Sequence, residues 1–165
     1  MNERLRPVVP EDSDDLLCWR NAEHVRKFVF HQQPIPSADH EAWFKGILNN
    51  SNCAYLVYER DRKPGGVVSF TDIDPRNRSA NWGFYTVPDA PKGTGRAMLT
   101  LALEYAFSTL GLHTVCAAVL DYNAASLHLH HTLGFARTDI QRNGHQVDGT
   151  FHDVILFAKT ATTDI

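Results

Sequence analysis

Apolar positions recur along this chain with two different periods, and the change from one to the other divides it near residue 50. A short β-type run, Leu5 to Val9, ends at Pro10, and Glu11, Asp12, Asp14 and Asp15 then crowd acids where they favour the positive end of a helix dipole. A helix through Leu16, Leu17 and Trp19 is expected to follow. Pro34 and Pro36 interrupt the chain before Ser37, a predicted N-cap, which opens a helix carrying Trp43, Phe44, Ile47 and Leu48 at i, i+1, i+4 and i+5. Beyond that helix the spacing tightens. Ala54 to Tyr58, Gly66 to Ile73 and Ala80 to Val87 are rich in Val, Tyr, Phe and Ile and are joined by turn residues, which predicts an antiparallel meander.

Gly95 to Leu110 is apolar almost all round, which predicts a long helix buried against a sheet and ended by Gly111. A strand over Thr114 to Leu120 is expected next, then a helix from about Asn123 to Leu133 stopped by Gly134. Two final strands, about Ala136 to Arg142 and Phe151 to Lys159, flank a turn at Asp148-Gly149. The order β-α-α-β-β-β-α-β-α-β-β predicts an α/β (α+β) fold, a mixed sheet with helices on both faces, in a single domain over 1–165.

Composition narrows the function classes. With 43% apolar residues in 165 and a net charge of −3, the chain can bury a core and offers no basic field for a nucleic acid or an anionic membrane. A small-molecule partner is the expectation. The three cysteines, Cys18, Cys53 and Cys116, are scattered through apolar stretches and read as buried thiols. No stretch approaches a membrane span and the N-terminus lacks a signal-peptide core, so a cytoplasmic protein is expected. The nine histidines include His128, His130 and His131, but no acid or cysteine stands at ligand spacing beside them, so no metal is expected.

The strongest local signal is Val87-Pro88-Asp89-Ala90-Pro91-Lys92-Gly93-Thr94-Gly95-Arg96, a strand end, a Pro-bearing turn and two glycines before a buried helix. Exposed N–H groups at a helix N-terminus attract anions, and glycines let a pyrophosphate approach them. Lys92 and Arg96 add full charges. Downstream, Asn123, Ser126 and His130 stand at i, i+3 and i+7, on one helix face.

This Gly-rich turn, followed by Asn-x-x-Ser-x-x-x-His-x-x-x-Gly-Phe, resembles the GNAT superfamily of N-acetyltransferases, and the order of strands and helices matches along the whole chain. The resemblance implies a mostly antiparallel seven-stranded sheet flanked by about four helices. It also implies acetyl-CoA bound by Val87, Lys92, Gly93, Thr94, Gly95, Arg96, Asn123 and Ser126, with the pantetheine arm between splayed strands and the amide near Val87 polarising the thioester.

A finer similarity, to the sugar-nucleotide N-acetyltransferases of pseudaminic acid synthesis, rests on Trp19-Arg20-Asn21, Val25-Arg26-Lys27, His40-x-x-Trp43-Phe44, Val68 to Asp74, Trp82-Gly83-Phe84-Tyr85, Pro91 to Gly95 and His152-Asp153-Val154. It implies a UDP-linked 4-amino-sugar as acceptor. Arg20 and Arg26 are then candidates for its diphosphate, Trp43, Phe44 and Phe28 for stacking, and Asn21, His40 and His152 for further contacts. Two positions depart from the superfamily: Ala90 opens the pyrophosphate signature, and His130 stands where a general-acid Tyr is common. His130 is the candidate acid, Tyr85 the alternative, and Asp72 or His152 the candidate base. Other readings stay open: acetylation of polyamines or protein N-termini by the same fold, and an acyl-CoA-binding module without turnover. The strands at the C-terminal edge can pair across a homodimer.

Overall fold

A computed structural model describes residues 2–162. Seven strands form one sheet in the order β1-β2-β3-β4-β5-β7-β6. The strands are β1 (Glu3–Pro7), β2 (Ala54–Arg60), β3 (Lys63–Asp74), β4 (Ser79–Thr86), β5 (Thr114–Leu120), β6 (Ala136–Val147) and β7 (Thr150–Thr160). The expected meander is β2-β3-β4, antiparallel throughout. Five α-helices accompany it: α1 (Ser13–Arg20), α2 (Glu23–Arg26), α3 (Ser37–Leu48), α4 (Thr94–Glu104) and α5 (Ala124–Thr132). The short α2 was not expected. The long helix predicted to Leu110 changes to a π turn over Tyr105–Thr109, where Leu110 N–H reaches back to Tyr105 C=O at 3.0 Å.

Alternation along the strands sends side chains to two layers. Leu56, Tyr58, Val68, Phe70 and Trp82 pack with Met98, Leu99 and Ala102 of α4 on one face. Val57 and Val67 pack with Leu16 of α1 and Phe44 of α3 on the other. Phe44 is therefore core. Ser37 does not cap α3: Pro36 holds the N-cap position without a side-chain bond, and Ser37 is already helical. The three thiols are not sealed in the core either, because Cys18 lies on the outer side of α1 and is exposed, and Cys53 and Cys116 are half-buried.

The one parallel junction determines the site. β4 and β5 pair only at Ser79–Thr114, Ala80–Val115 and Asn81–Cys116. Past Asn81 the strands diverge, and the sheet opens between Trp82–Thr86 and Ala117–Leu120. α4 packs on β3 in the first half of the sheet, which needs Gly66: a Cβ there would lie 2.6 Å from Tyr85 C=O and 2.8 Å from Met98 Sδ. Among the described residues no helix is long and apolar enough to cross a membrane.

Candidate active site

Two clefts meet at β4. The larger, about 850 Å³, fills the opening between β4 and β5 and is walled by Trp82 to Thr86, Cys116 to Val119, Gly95, and Asn123, Ser126, Leu129 and His130 of the α5 region. The smaller, about 510 Å³, lies under α1 and α3 and is lined by Arg20, His31, Asp39, His40, Trp43, Tyr55, Ser69 and Tyr85. Gly83, Phe84, Tyr85 and Val29 line both.

Backbone polarity follows from the ladder. Val87 N–H donates to Gly65 C=O at 3.0 Å, so it is committed to β3. In an antiparallel pair alternate residues turn their backbone groups to opposite sides, so those of Phe84 and Thr86 face the opening. Thr86 C=O does so, accepting from His24 Nε2–H at 3.0 Å. The backbone donor expected at Val87 thus moves to Phe84 and Thr86.

At the start of α4, Gly93 adopts φ 92° with open space where a Cβ would stand. Ala97 N–H makes the first intrahelical bond, to Gly93 C=O, so the amides of Gly95 and Arg96 precede it and carry the dipole's positive end. Thr94 is buried and turned inward, its amide and hydroxyl both donating to Pro91 C=O, at 3.1 and 2.6 Å. Lys92 and Arg96 are exposed.

These features, an opened β4-β5 junction beside free amides at a glycine-flanked helix start, are those of an acyl-CoA-binding acetyltransferase, and the family model of the acetyltransferase (GNAT) domain matches residues 4–136. The chain belongs to the GNAT acetyltransferases. This GNAT protein is 26% identical over 137 residues to the spermidine N(1)-acetyltransferase of Vibrio cholerae, covering 81% of this chain and 79% of that one. It is 26% identical over 129 residues to the acetyltransferase PseH of Campylobacter jejuni, covering 78% and 80%. The solved structure of spermidine N-acetyltransferase from Vibrio cholerae in complex with CoA and spermine shares the fold, with a TM-score of 0.89 over 96% of this chain and 95% of that one at 22% identity. The protein is an N-acetyltransferase that uses acetyl-CoA.

The residues of this GNAT domain fit that co-substrate: the larger cleft runs from Gly95 of α4 along Trp82 to Thr86, unpaired β4 backbone lines it, and free amides stand at α4. Asn123 lines the cleft and caps α5, its Oδ1 accepting from Ser126 N–H at 3.3 Å. Among the described residues no group of three or more His, Cys, Asp and Glu side chains is placed to hold a metal ion.

The candidate catalytic groups of the GNAT site separate. His130 is 1% exposed. Its Nε2 accepts from Trp82 Nε1–H at 3.1 Å and its Nδ1–H donates to Ser126 C=O at 2.8 Å, while its ring stacks on Phe157. Burial pushes its pKa below 6.5, the Ser126 carbonyl opposing. A neutral ring with both nitrogens engaged has no proton to offer a thiolate. Tyr85 stands between the clefts, and burial drives its phenol well above the ordinary value against the pull of Arg20. Asp72 is exposed, accepts from Asn81 Nδ2–H at 3.2 Å, and lines a pocket on the far side of Trp43.

Of the candidate acceptor contacts, Arg20 and Trp43 line the smaller cleft, and Trp43 is 42% exposed. His40 lines it too, but its Nε2–H donates to Ser13 C=O at 2.9 Å and its ring stacks on Phe44. Asn21 is a staple, bonded through its side chain to both backbone groups of Ile35 at 3.0 and 2.8 Å. Arg26 lines neither cleft, and its buried Nε has no partner. His152 is engaged with Asp121 at 3.0 Å and lies outside both clefts. Phe28, a stacking candidate for the acceptor, lines the larger cleft and not the smaller, and sequence reasoning missed His24 and the Val29-Phe30 continuation that roofs the opening with it. The available signal was an apolar run in a segment without periodicity, which needs something apolar to cover.

Proposed function

We propose that the smaller cleft takes the acceptor and that the acceptor is a primary amine on a small molecule that also carries an anionic group, of the nucleotide-linked amino-sugar type. Arg20 supports this reading. Its guanidinium is half-buried in the cleft wall, which lowers its pKa; Nη2 donates to His31 C=O at 3.1 Å, and Nη1 is buried without a partner among the described residues. A buried unpaired donor on a cation is costly, and a phosphate or carboxylate in the cleft satisfies it. Trp43 and Tyr55, packed edge to face at 5.2 Å, offer a flat wall for a ring.

In this reading acetyl-CoA supplies the activated acyl group and the neutral amine displaces its thiol. Backbone donors on β4 that face the opening stabilise the developing oxyanion, a contribution of about 3 kcal/mol for one well-aimed donor. The Tyr85 phenol, kept protonated by burial, gives its proton to the departing sulfur. The amine loses its proton to solvent, since Asp72 and His152 are engaged outside the two clefts.

A second reading, polyamine acetylation, is favoured by the spermidine acetyltransferase of Vibrio cholerae, similar in both sequence and fold, and Asp39 in the cleft suits a cation. Thiol release from acetyl-CoA, measured with UDP-amino-sugars, spermidine and peptide amines, separates them. Turnover is expected with the anionic amines, and Arg20→Met raises their KM about 10- to 100-fold, the worth of a charge-assisted bond. Preferential turnover of spermidine, unaffected by that change, overturns the first reading.

A further inference from the structure

The segment from Lys27 to Gln32 contributes Val29 to both clefts, Phe28 and Phe30 to the larger, and ends beside His31 in the smaller. It is attached to the α1 side by Arg20 on His31 C=O and by Asn21 on Ile35. Its other attachments lie across the opening. Tyr122, in the turn between β5 and α5, donates its hydroxyl to Lys27 C=O at 2.6 Å and accepts from Gln32 Nε2–H at 2.8 Å. The same Gln32 amide nitrogen lies 3.0 Å from both Lys27 C=O and Val29 C=O, its two hydrogens shared among these carbonyls and the phenol, which folds the segment into one compact loop. His145, on β6, donates to Phe30 C=O at 2.7 Å. The Tyr122 ring is braced from behind by His152, 4.7 Å away edge to face, itself held by Asp121.

We propose that Tyr122 is a positioning residue for the acceptor: its hydroxyl hangs the 27–32 segment across the opened sheet as the wall the two clefts share. The segment has no regular secondary structure to hold it, and chain without a partner costs roughly 1–2 kcal/mol of conformational entropy per residue to order. A phenol that touches both ends of the loop fixes its span from a part of the fold that belongs to the other half of the sheet. This role rests on the assignment of the smaller cleft to the acceptor. It needs no contact between Tyr122 and either substrate.

The test is Tyr122→Phe, which keeps the ring on His152 and removes only the hydroxyl, with Gln32→Met as the matching change from the loop side. In the free protein, trypsin cleavage after Lys27 is expected to accelerate at least fivefold in both variants. With the amine that the acceptor panel identifies, the acceptor KM rises about tenfold and the acetyl-CoA KM less than about threefold, since β4 and the start of α4 hold that co-substrate besides Phe28 and Phe30, while kcat at saturation stays within about twofold. The double variant adds little to either single one. Unchanged cleavage overturns the anchor itself. Faster cleavage with an unchanged acceptor KM overturns the assignment of the clefts, and the positioning role with it. A fall in melting temperature with parallel losses for both substrates reduces Tyr122 to a structural residue and overturns the proposal.

Discussion

His130, which shares a helix-face pattern with Asn123 and Ser126 in the sequence, has a structural occupation, and the reason is the number of hydrogen bonds it can make. A neutral imidazole has one donor and one acceptor. His130 spends both inside the core, on Ser126 C=O and Trp82 Nε1–H. The spacing Asn123, Ser126, His130 correctly put these residues on one side of α5, but spacing cannot tell a ring that enters the cleft from one that seals its floor. The consequence is measurable. The folded protein holds His130 below 6.5 by burial, whereas the unfolded chain titrates near 6.5. Between those values the unfolded chain binds more protons, so this contribution is complete above 6.5 and is lost as the pH falls below it. His130→Phe is expected to flatten that limb in urea unfolding between pH 7.5 and 5. It should also cost about 1–3 kcal/mol, for the Trp82 N–H left without an acceptor. Its kcat should stay within about threefold of the parent. A fall of a hundredfold or more with the fold intact would return His130 to the chemistry, since a general acid contributes on that scale.

At the scale of elements, α4 carries two requirements at two glycines, and they are separable. Gly66 lets the helix lie on β3, because a side chain there meets Met98 Sδ of α4 at 2.8 Å as well as the Tyr85 C=O of β4 at 2.6 Å. Gly93 lets the chain turn into the helix at φ 92° with nothing crowding it. Gly66→Ala is therefore expected to lose about 2–3 kcal/mol in denaturant unfolding, as overpacking does. Gly93→Ala should lose only about 1 kcal/mol, for strained backbone, but should raise the acetyl-CoA KM severalfold by displacing the first-turn amides. Equal effects of both changes on acetyl-CoA would mean that the loop has no binding role beyond starting the helix. These elements were legible in the sequence because each has a strong local cause: the Val, Tyr and Phe of β2 to β4, all-round apolarity in α4, Asn123 before α5. The short α2 and the roofing loop were not. The loop takes its order from Tyr122 and His145, more than ninety residues away in sequence, and α2 is tied by His24 to Thr86 C=O on β4; no local pattern encodes such partners.

At the scale of the whole molecule, the three register pairs between β4 and β5 are, among the described residues, the only ladder that joins β1-β2-β3-β4 to β5-β7-β6. A sheet opened this way leaves backbone groups of β4 and β5 without strand partners, and a bound arm that pairs with them replaces the missing ladder. Acetyl-CoA should therefore act as a structural link as well as a reactant. At a concentration of about 100 Kd, mass action alone adds about 2.7 kcal/mol to stability, which for a chain of this size corresponds to a rise in Tm of roughly 5–10 °C. Any tight ligand does as much. The distinguishing observation is where amide exchange slows. With acetyl-CoA bound, protection is expected to increase in Trp82 to Thr86 and Ala117 to Leu120, at amides that have no strand partner in the free protein, while β1 to β3, already paired on both sides at β2 and β3, gains only the global increment. A rise in Tm with no added protection in those two segments would place the co-substrate elsewhere than between the strands, and the opened junction would then need another occupant.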